Sequence, residues 1–297
     1  SPILVSLLPI FLLISLGYGL KRTSFKNDNF WFSLERLIYF VLFPALILDS
    51  LEKANLSSLT VIPMSAVLVL ATVAISGIVI LAKNLISADG PAFASIFMGA
   101  TRFNTYVGIA AASALYGDDG LVLAALTIAV LVPLVNFLSV LVLIKFASAT
   151  DEHNFWRAII WPLVTNPLIV ASGLGIFLNV MSWELPVGID ATISALGLAA
   201  LPLGLLAVGA GLKTEIIGAA KIPLAWASAF KLIAMPMAML LTCRCLGLTG
   251  LPAHVAILFA ALPSASTAYI IARQMGGNAP LMAGIITITT LIAAITM

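Results

Sequence analysis

Charge is what this sequence has least of: Lys, Arg, Asp and Glu make up 9% of it, against roughly 25% in an ordinary soluble domain. Hydrophobic residues supply 62%, so a water-soluble fold would lack the polar surface to cover itself, and the chain reads as an integral membrane protein. The formal net charge of +2 is small, and the basic residues lie scattered between apolar runs. That pattern excludes a nucleic-acid partner and leaves the lipid bilayer as the surroundings. Cysteine is equally scarce. Cys243 and Cys245 stand two apart with no His or Asp at metal-ligand spacing, so they read as unpaired interfacial thiols. The two histidines, His153 and His254, are far apart, and there is no Gly-rich phosphate loop and no Ser/His/Asp set in polar surroundings. These absences exclude an enzyme, a bound metal or cofactor and an ATP-driven pump. Energy must then come from a gradient of solute or of a coupling ion, H+ or Na+.

What the chain does have is apolar runs. Spanning helices need about 20 mostly apolar residues, and the polar breaks predict ten: 2–20, 32–51, 59–82, 91–116, 121–146, 155–180, 188–212, 222–246, 252–275 and 279–297. The first run has neither a basic leader nor a small-residue cleavage site and reads as a mature membrane helix. The longest polar connection, 147–154, falls almost midway. Five segments on each side suggest a repeat, 1–146 against 155–297, and short matches appear in order. Leu8-Pro9-Ile10 through Gly17 parallels Asn166-Pro167-Leu168 through Gly175, Phe43-Pro44 parallels Leu201-Pro202, and Leu115-Tyr116-Gly117 parallels Gln274-Met275-Gly276. This register sets Asn104 at or near Pro263. An odd number of spans per half makes the repeat an inverted one.

Orientation follows from basic residues in alternate loops. One set holds Lys21, Arg22, Lys26, Arg36, Lys83, Lys145, Arg157, Lys213, Lys221 and Arg273, the other Lys53 and Arg244. The richer set is expected on the cytoplasmic side, which puts the 147–154 linker inside and both termini outside.

The fourth segment carries the main anomaly, Gly99-Ala100-Thr101-Arg102-Phe103-Asn104-Thr105-Tyr106-Val107-Gly108. An Arg at membrane depth costs at least roughly 2.5 kcal/mol on insertion scales and faces protein interior or a water-filled path. The ninth reads Leu262-Pro263-Ser264-Ala265-Ser266-Thr267; Pro263 removes a backbone donor, and Ser264 and Ser266 suit the cap of a restarting helix. Both segments are expected to be broken. Two half-helix N-termini meeting at the midplane would stabilise an anion, and Arg102 adds a planar five-donor fork suited to carboxylate. Asn104, Thr105, Pro263, Ser264, Ser266 and Thr267 complete the candidate substrate site. Lys231, in the eighth segment, reads either as a proton-coupled group, as a counter-ion, or as a side chain reaching the interface. Asn166 and Thr165 beside Pro167, and Asn136, need polar partners; Asn136 reads as interhelical glue, Asn166 equally as a site residue. Asp49 and Asp190 are expected at the interface, and no carboxylate pair marks the centre, which argues against a cation/proton antiporter.

The run from Arg102 to Gly108 with Leu115-Tyr116-Gly117, the run Pro202-Leu203-Gly204 to Gly209-Ala210-Gly211-Leu212, and Ala261-Leu262-Pro263-Ser264-Ala265 together resemble bacterial members of the auxin efflux carrier family over essentially the whole chain. The resemblance implies ten helices in two inverted five-helix repeats, a fold shared with bile-acid/sodium symporters. Segments one, two, six and seven would form a scaffold and a homodimer interface. Three to five and eight to ten would carry the cargo in an elevator-like motion, with crossovers at Asn104 and Pro263. It also implies organic anions as substrates, malonate-like dicarboxylates among them. Plant members have a proline at the first crossover where this sequence has Asn104, which argues against auxin itself. The expectation is a secondary transporter of a small organic anion by alternating access. A sodium-coupled symporter and a non-transporting receptor on the same fold are its alternatives.

Overall fold

The computed structural model describes residues 2–54, 61–147, 165–183, 185–214 and 220–297. Among them every regular element is a helix: α1 (Pro2–Thr23), α2 (Asp28–Leu37), α3 (Phe43–Glu52), α4 (Val61–Leu81), α5 (Lys83–Ile86), α6 (Gly90–Thr101), α7 (Thr105–Ala147), α8 (Pro167–Val180), α9 (Val187–Ala210), α10 (Lys221–Ala229), α11 (Met235–Cys245), α12 (Gly250–Ala261), α13 (Ala268–Gln274) and α14 (Ala279–Thr296). Seven helical stretches among the described residues are long and apolar enough to cross a membrane. One of them, Gly90–Ala147, runs 58 residues, about 87 Å of helix at 1.5 Å per residue, against a hydrocarbon core of about 30 Å. It is interrupted twice. The first gap is 102–104; the second is Gly117, whose φ of 61° and ψ of −145° break the helix in a conformation that favours glycine. The loop expected over Gly117 to Gly120 is therefore a single-residue turn. The expected linker and the first part of the sixth segment, 155–164, lie outside the described residues.

Two π-helical turns share one cause. Ile38–Leu42 joins α2 to α3 and Phe230–Ala234 joins α10 to α11, and each ends two residues before a proline, Pro44 and Pro236. A helical proline lacks the N–H for the carbonyl four residues back, and its ring collides with that carbonyl; a widened turn relieves both. Pro202 produces no such feature and lies inside continuous α9.

The chain forms two compact units: Ser1–Val61 with Tyr106–Ala129 and Leu163–Gly211, and Ile62–Thr105 with Val130–Pro162 and Leu212–Met297. In the first, glycines let helices touch backbone to backbone. A Cβ on Gly17 would stand 2.0 Å from the Leu206 carbonyl oxygen of α9, and one on Gly209 1.8 Å from that of Ile14 in α1. Across α3, Gly175 of α8 abuts Leu51 and Gly197 of α9 abuts Leu46. The Phe43 and Tyr106 rings stack at 4.6 Å. Small residues serve this purpose in membranes, where dispersion and not water exclusion holds helices together.

The second unit is built around α6, buried from Phe93 to Thr101. Its start is tied to α14. Asn278 donates its backbone N–H to Pro91 O (3.1 Å), accepts from Ser95 Oγ (3.1 Å) and caps α14 through Oδ1 on Leu281 N (3.0 Å).

Candidate functional site

In the second unit α6 stops at Arg102, which takes extended φ/ψ of −81°/148° while its N–H still bonds Met98 O. No proline forces this. The stop is held by the second interruption: α12 ends at Ala261, Leu262 turns to extended backbone, and helix resumes only at Ala268. Asn104 N–H donates to Pro263 O at 2.8 Å. Ser264 donates its hydroxyl to Gly99 O (2.6 Å) and its N–H to Thr289 Oγ1 (3.2 Å), and Asn104 Nδ2 donates to Ser266 Oγ (3.2 Å). Thr101 Oγ1 bonds back to Phe97 O. Broken backbone at membrane depth requires such replacement partners, and each break supplies them to the other. The two helices expected to be broken are broken, at the expected residues.

Arg102 is 7% exposed. Its guanidinium donates to Asn136 Oδ1 at 2.6 Å and, at the long end of bonding range, to Thr267 Oγ1 at 3.5 Å. These two partners are neutral and orient the fork. Ser266 and Thr267 are half-buried beside it, Ser264 and Pro263 fully buried, and half-buried Thr105 opens α7. The positive end of the α7 dipole falls here as well. A cation, an amide, two hydroxyls and a helix start make a cluster rich in donors, suited to an oxyanion.

The serines do a different job from the capping expected of them. The residue before α13 is Thr267, with no side-chain cap bond, while Ser264 and Ser266 reach across to the other break. Asn136 is the glue expected, with Arg102 as what it holds. Asn166 belongs to the first unit, where Oδ1 caps α8 on Leu168 N (3.0 Å) and Ile169 N (3.4 Å). Lys231 lies in the second unit, 0% exposed, its Nζ without a hydrogen-bond partner among the described residues.

Two groups escaped the sequence reading. Thr289, wholly buried in α14, accepts from Ser264 N; the Ile286-Thr287-Ile288-Thr289-Thr290 run was the signal, hydroxyls repeated in an apolar helix. In the first unit Lys53 pairs with Asp49 (2.6 Å) and Asp190 (2.8 Å), and Ser194 Oγ donates to Asp49 Oδ1 (2.5 Å). The two carboxylates expected separately at the interface share one cation. Hydrogen bonding to Asp190, and then to Asp49, pushes the Lys53 ammonium above its ordinary range.

Helices alone among the described residues, seven of them membrane-length apolar stretches, with a buried polar cluster between two interruptions, define a polytopic membrane protein. The family follows from the sequence: residues 2–297 match the membrane transport protein family, and the chain belongs to it, alongside the auxin efflux carriers. It is a family of transporters, not enzymes. The chain is also 25% identical over 295 residues to an uncharacterized transporter of Methanothermobacter thermautotrophicus (strain Delta H), covering 98% of this chain and 95% of that one.

Proposed function

We propose that this protein is a secondary transporter of a small organic anion, a carboxylate, working by an elevator-type alternating-access mechanism. The single observation behind this reading is the pair of broken helices bonded through Asn104 N–H and Pro263 O, with Arg102 buried beside them. Arg102 would bind the carboxylate, with Asn104, Thr105, Ser266 and Thr267 as polar lining and Pro263 and Ser264 as the frame. In this reading the chain has ten membrane helices in two inverted five-helix repeats, 1–146 and 155–297, crossing at the two breaks. The 147–154 linker is cytoplasmic and both termini are outside, in a bacterial inner membrane. The make-up of the compact units supports a division of labour. The first unit gathers segments one, two, six and seven, the expected scaffold and homodimer face, together with Tyr106–Ala129 from segments four and five; the second gathers three, eight, nine and ten, the first half of four and the end of five, most of the expected carrier.

Counterflow in proteoliposomes tests this, preceded by thermal-shift screening against mono- and dicarboxylates, since a true ligand stabilises the folded state by mass action. Exchange of a labelled carboxylate is expected, lost in Arg102→Ala while that variant stays monodisperse. Normal exchange by Arg102→Ala would remove Arg102 from the site. Exchange that requires sodium would make the protein a sodium-coupled symporter, and saturable binding without flux a receptor.

A further inference from the structure

We propose that Lys231 is the proton carrier of the transport cycle: it takes up a proton from water as the carboxylate binds and returns it as the carboxylate leaves, so that one proton travels with each anion. The inference rests on the organic-anion reading above and adds the coupling ion to it.

Position comes first. Lys231 lies ten residues past Lys221 in the apolar stretch Lys221–Cys245, about 15 Å along the axis, half of a hydrocarbon core about 30 Å thick. It is 0% exposed, so it does not reach toward water in the way a lysine near a helix end does. The π-helical turn that holds it, Phe230–Ala234, is an irregularity often found at functional sites.

Its neighbourhood leaves two polar atoms unsatisfied. Lys231 Nζ and Ser228 Oγ are both buried without a hydrogen-bond partner among the described residues, and a spacing of three puts them on one face. The turn packs against α6, α12 and α14. α6 is bounded by Asp89, at its far end and bonded to Ala92 N, and by Arg102. α12 contributes only exposed His254, and α14 no titratable group. On Lys231's own stretch stand Lys221, Arg244, Cys243 and Cys245, and Lys145 ends the helix bearing Asn136. That helix also carries Asp118 and Asp119, both exposed beside the Gly117 turn, and the helices packed against the π-helical turn bring no carboxylate beyond Asp89.

Register places the amine beside the site. A Cβ on Gly99 of α6 would lie 3.6 Å from Ala227 Cβ of α10, and Lys231 is one turn beyond Ala227. Both helices start from loops of the same basic set, those with Lys83 and Lys221, so in the proposed topology they run the same way. One turn beyond Gly99 is Arg102-Phe103, where α6 breaks.

The chemistry follows from charge. An ammonium buried without a counter-charge is costly, and a neutral amine is not. An arriving carboxylate supplies the counter-charge, so anion and proton bind together: the lone pair on Nζ takes H+ and the new ammonium faces the carboxylate. Arg102 cannot play this part, because a guanidinium stays protonated.

The test uses the full chain in proteoliposomes with an internal pH dye, protein-free vesicles as control, and 14C-malonate, lactate and succinate as probes. An acid-outside gradient should raise wild-type accumulation of the exchanged probe about tenfold and acidify the lumen in step. Lys231→Arg, permanently charged, should lose the response to the gradient, scored against its own counterflow rate; Lys231→Met should also lose it. If the Met variant is not monodisperse, the Arg variant decides. Gradient-driven accumulation by Lys231→Arg, or wild-type uptake without acidification, would overturn the proposal alone. If no probe exchanges in wild type, the organic-anion reading falls and the proposal with it.

Discussion

In the organic-anion reading, Arg102 works through the partners that orient it. Asn136 and Thr267 fix the direction of the guanidinium, so a carboxylate meets an oriented fork, which binds such a group in two parallel hydrogen bonds. Lys in its place is a point charge on a flexible stem. Arg102→Lys is therefore expected to weaken carboxylate binding roughly tenfold and Arg102→Ala to abolish it, both read by thermal shift. Asn136→Ala should weaken binding without touching the anion, by leaving the guanidinium unoriented. At Lys53 the sign runs through the base. Its folded-state value is raised, so the stability it contributes is fully present below the ordinary Lys value of about 10.4 and is lost as pH climbs through the raised one. Half exposure limits the worth of the Asp49–Lys53–Asp190 cluster to roughly 1 kcal/mol. Lys53→Met should lower the melting temperature slightly between pH 7 and 9, and the gap to wild type should narrow at strongly alkaline pH.

Among the elements, close helix contact in the first unit depends on having no side chain at two points. A methyl on Gly209 or Gly17 would sit inside contact distance of a backbone oxygen that cannot swing away. Gly209→Ala is expected to cost about 1–3 kcal/mol or more through overpacking. Gly19→Ala, where nothing lies within 4 Å, should be neutral or slightly stabilising, because helical glycine is itself unfavourable. Paired melting curves check both. In the second unit the two breaks stand or fall together. Ser264→Ala removes the hydroxyl bond to Gly99 O at a cost of about 1 kcal/mol. It is expected to raise hydrogen exchange at both 102–105 and 262–268, since each break supplies the other's partners; exchange confined to 262–268 would show them to be independent.

For the whole molecule, the elevator reading makes the second unit the moving part, and it assigns sides. Reporter fusions at either terminus should be active only where the non-cytoplasmic compartment permits, and fusions in the 147–154 linker should show the opposite pattern. Cytoplasmic termini would reverse the basic-loop assignment but leave α6 and α10 running the same way, since both start from loops of one set.

Composition alone decided that the chain lives in a membrane, because 9% charge cannot clothe a soluble surface, and apolar runs decided that it is helical, because an isolated spanning segment must bond its own backbone. The Arg102–Thr105 and Pro263–Thr267 interruptions were legible for the same reason: polar groups and a proline in such runs announce themselves. What the sequence could not give was pairing. That Ser264 serves the opposite break, that Thr289 and Asn136 stand behind the site, that Asp49 and Asp190 share Lys53, and that Asn166 caps its own helix all depend on which helices lie side by side. In an apolar chain almost any two helices can pack acceptably, so hydrogen bonds between the few polar groups select the arrangement, and only the tertiary structure shows which ones meet.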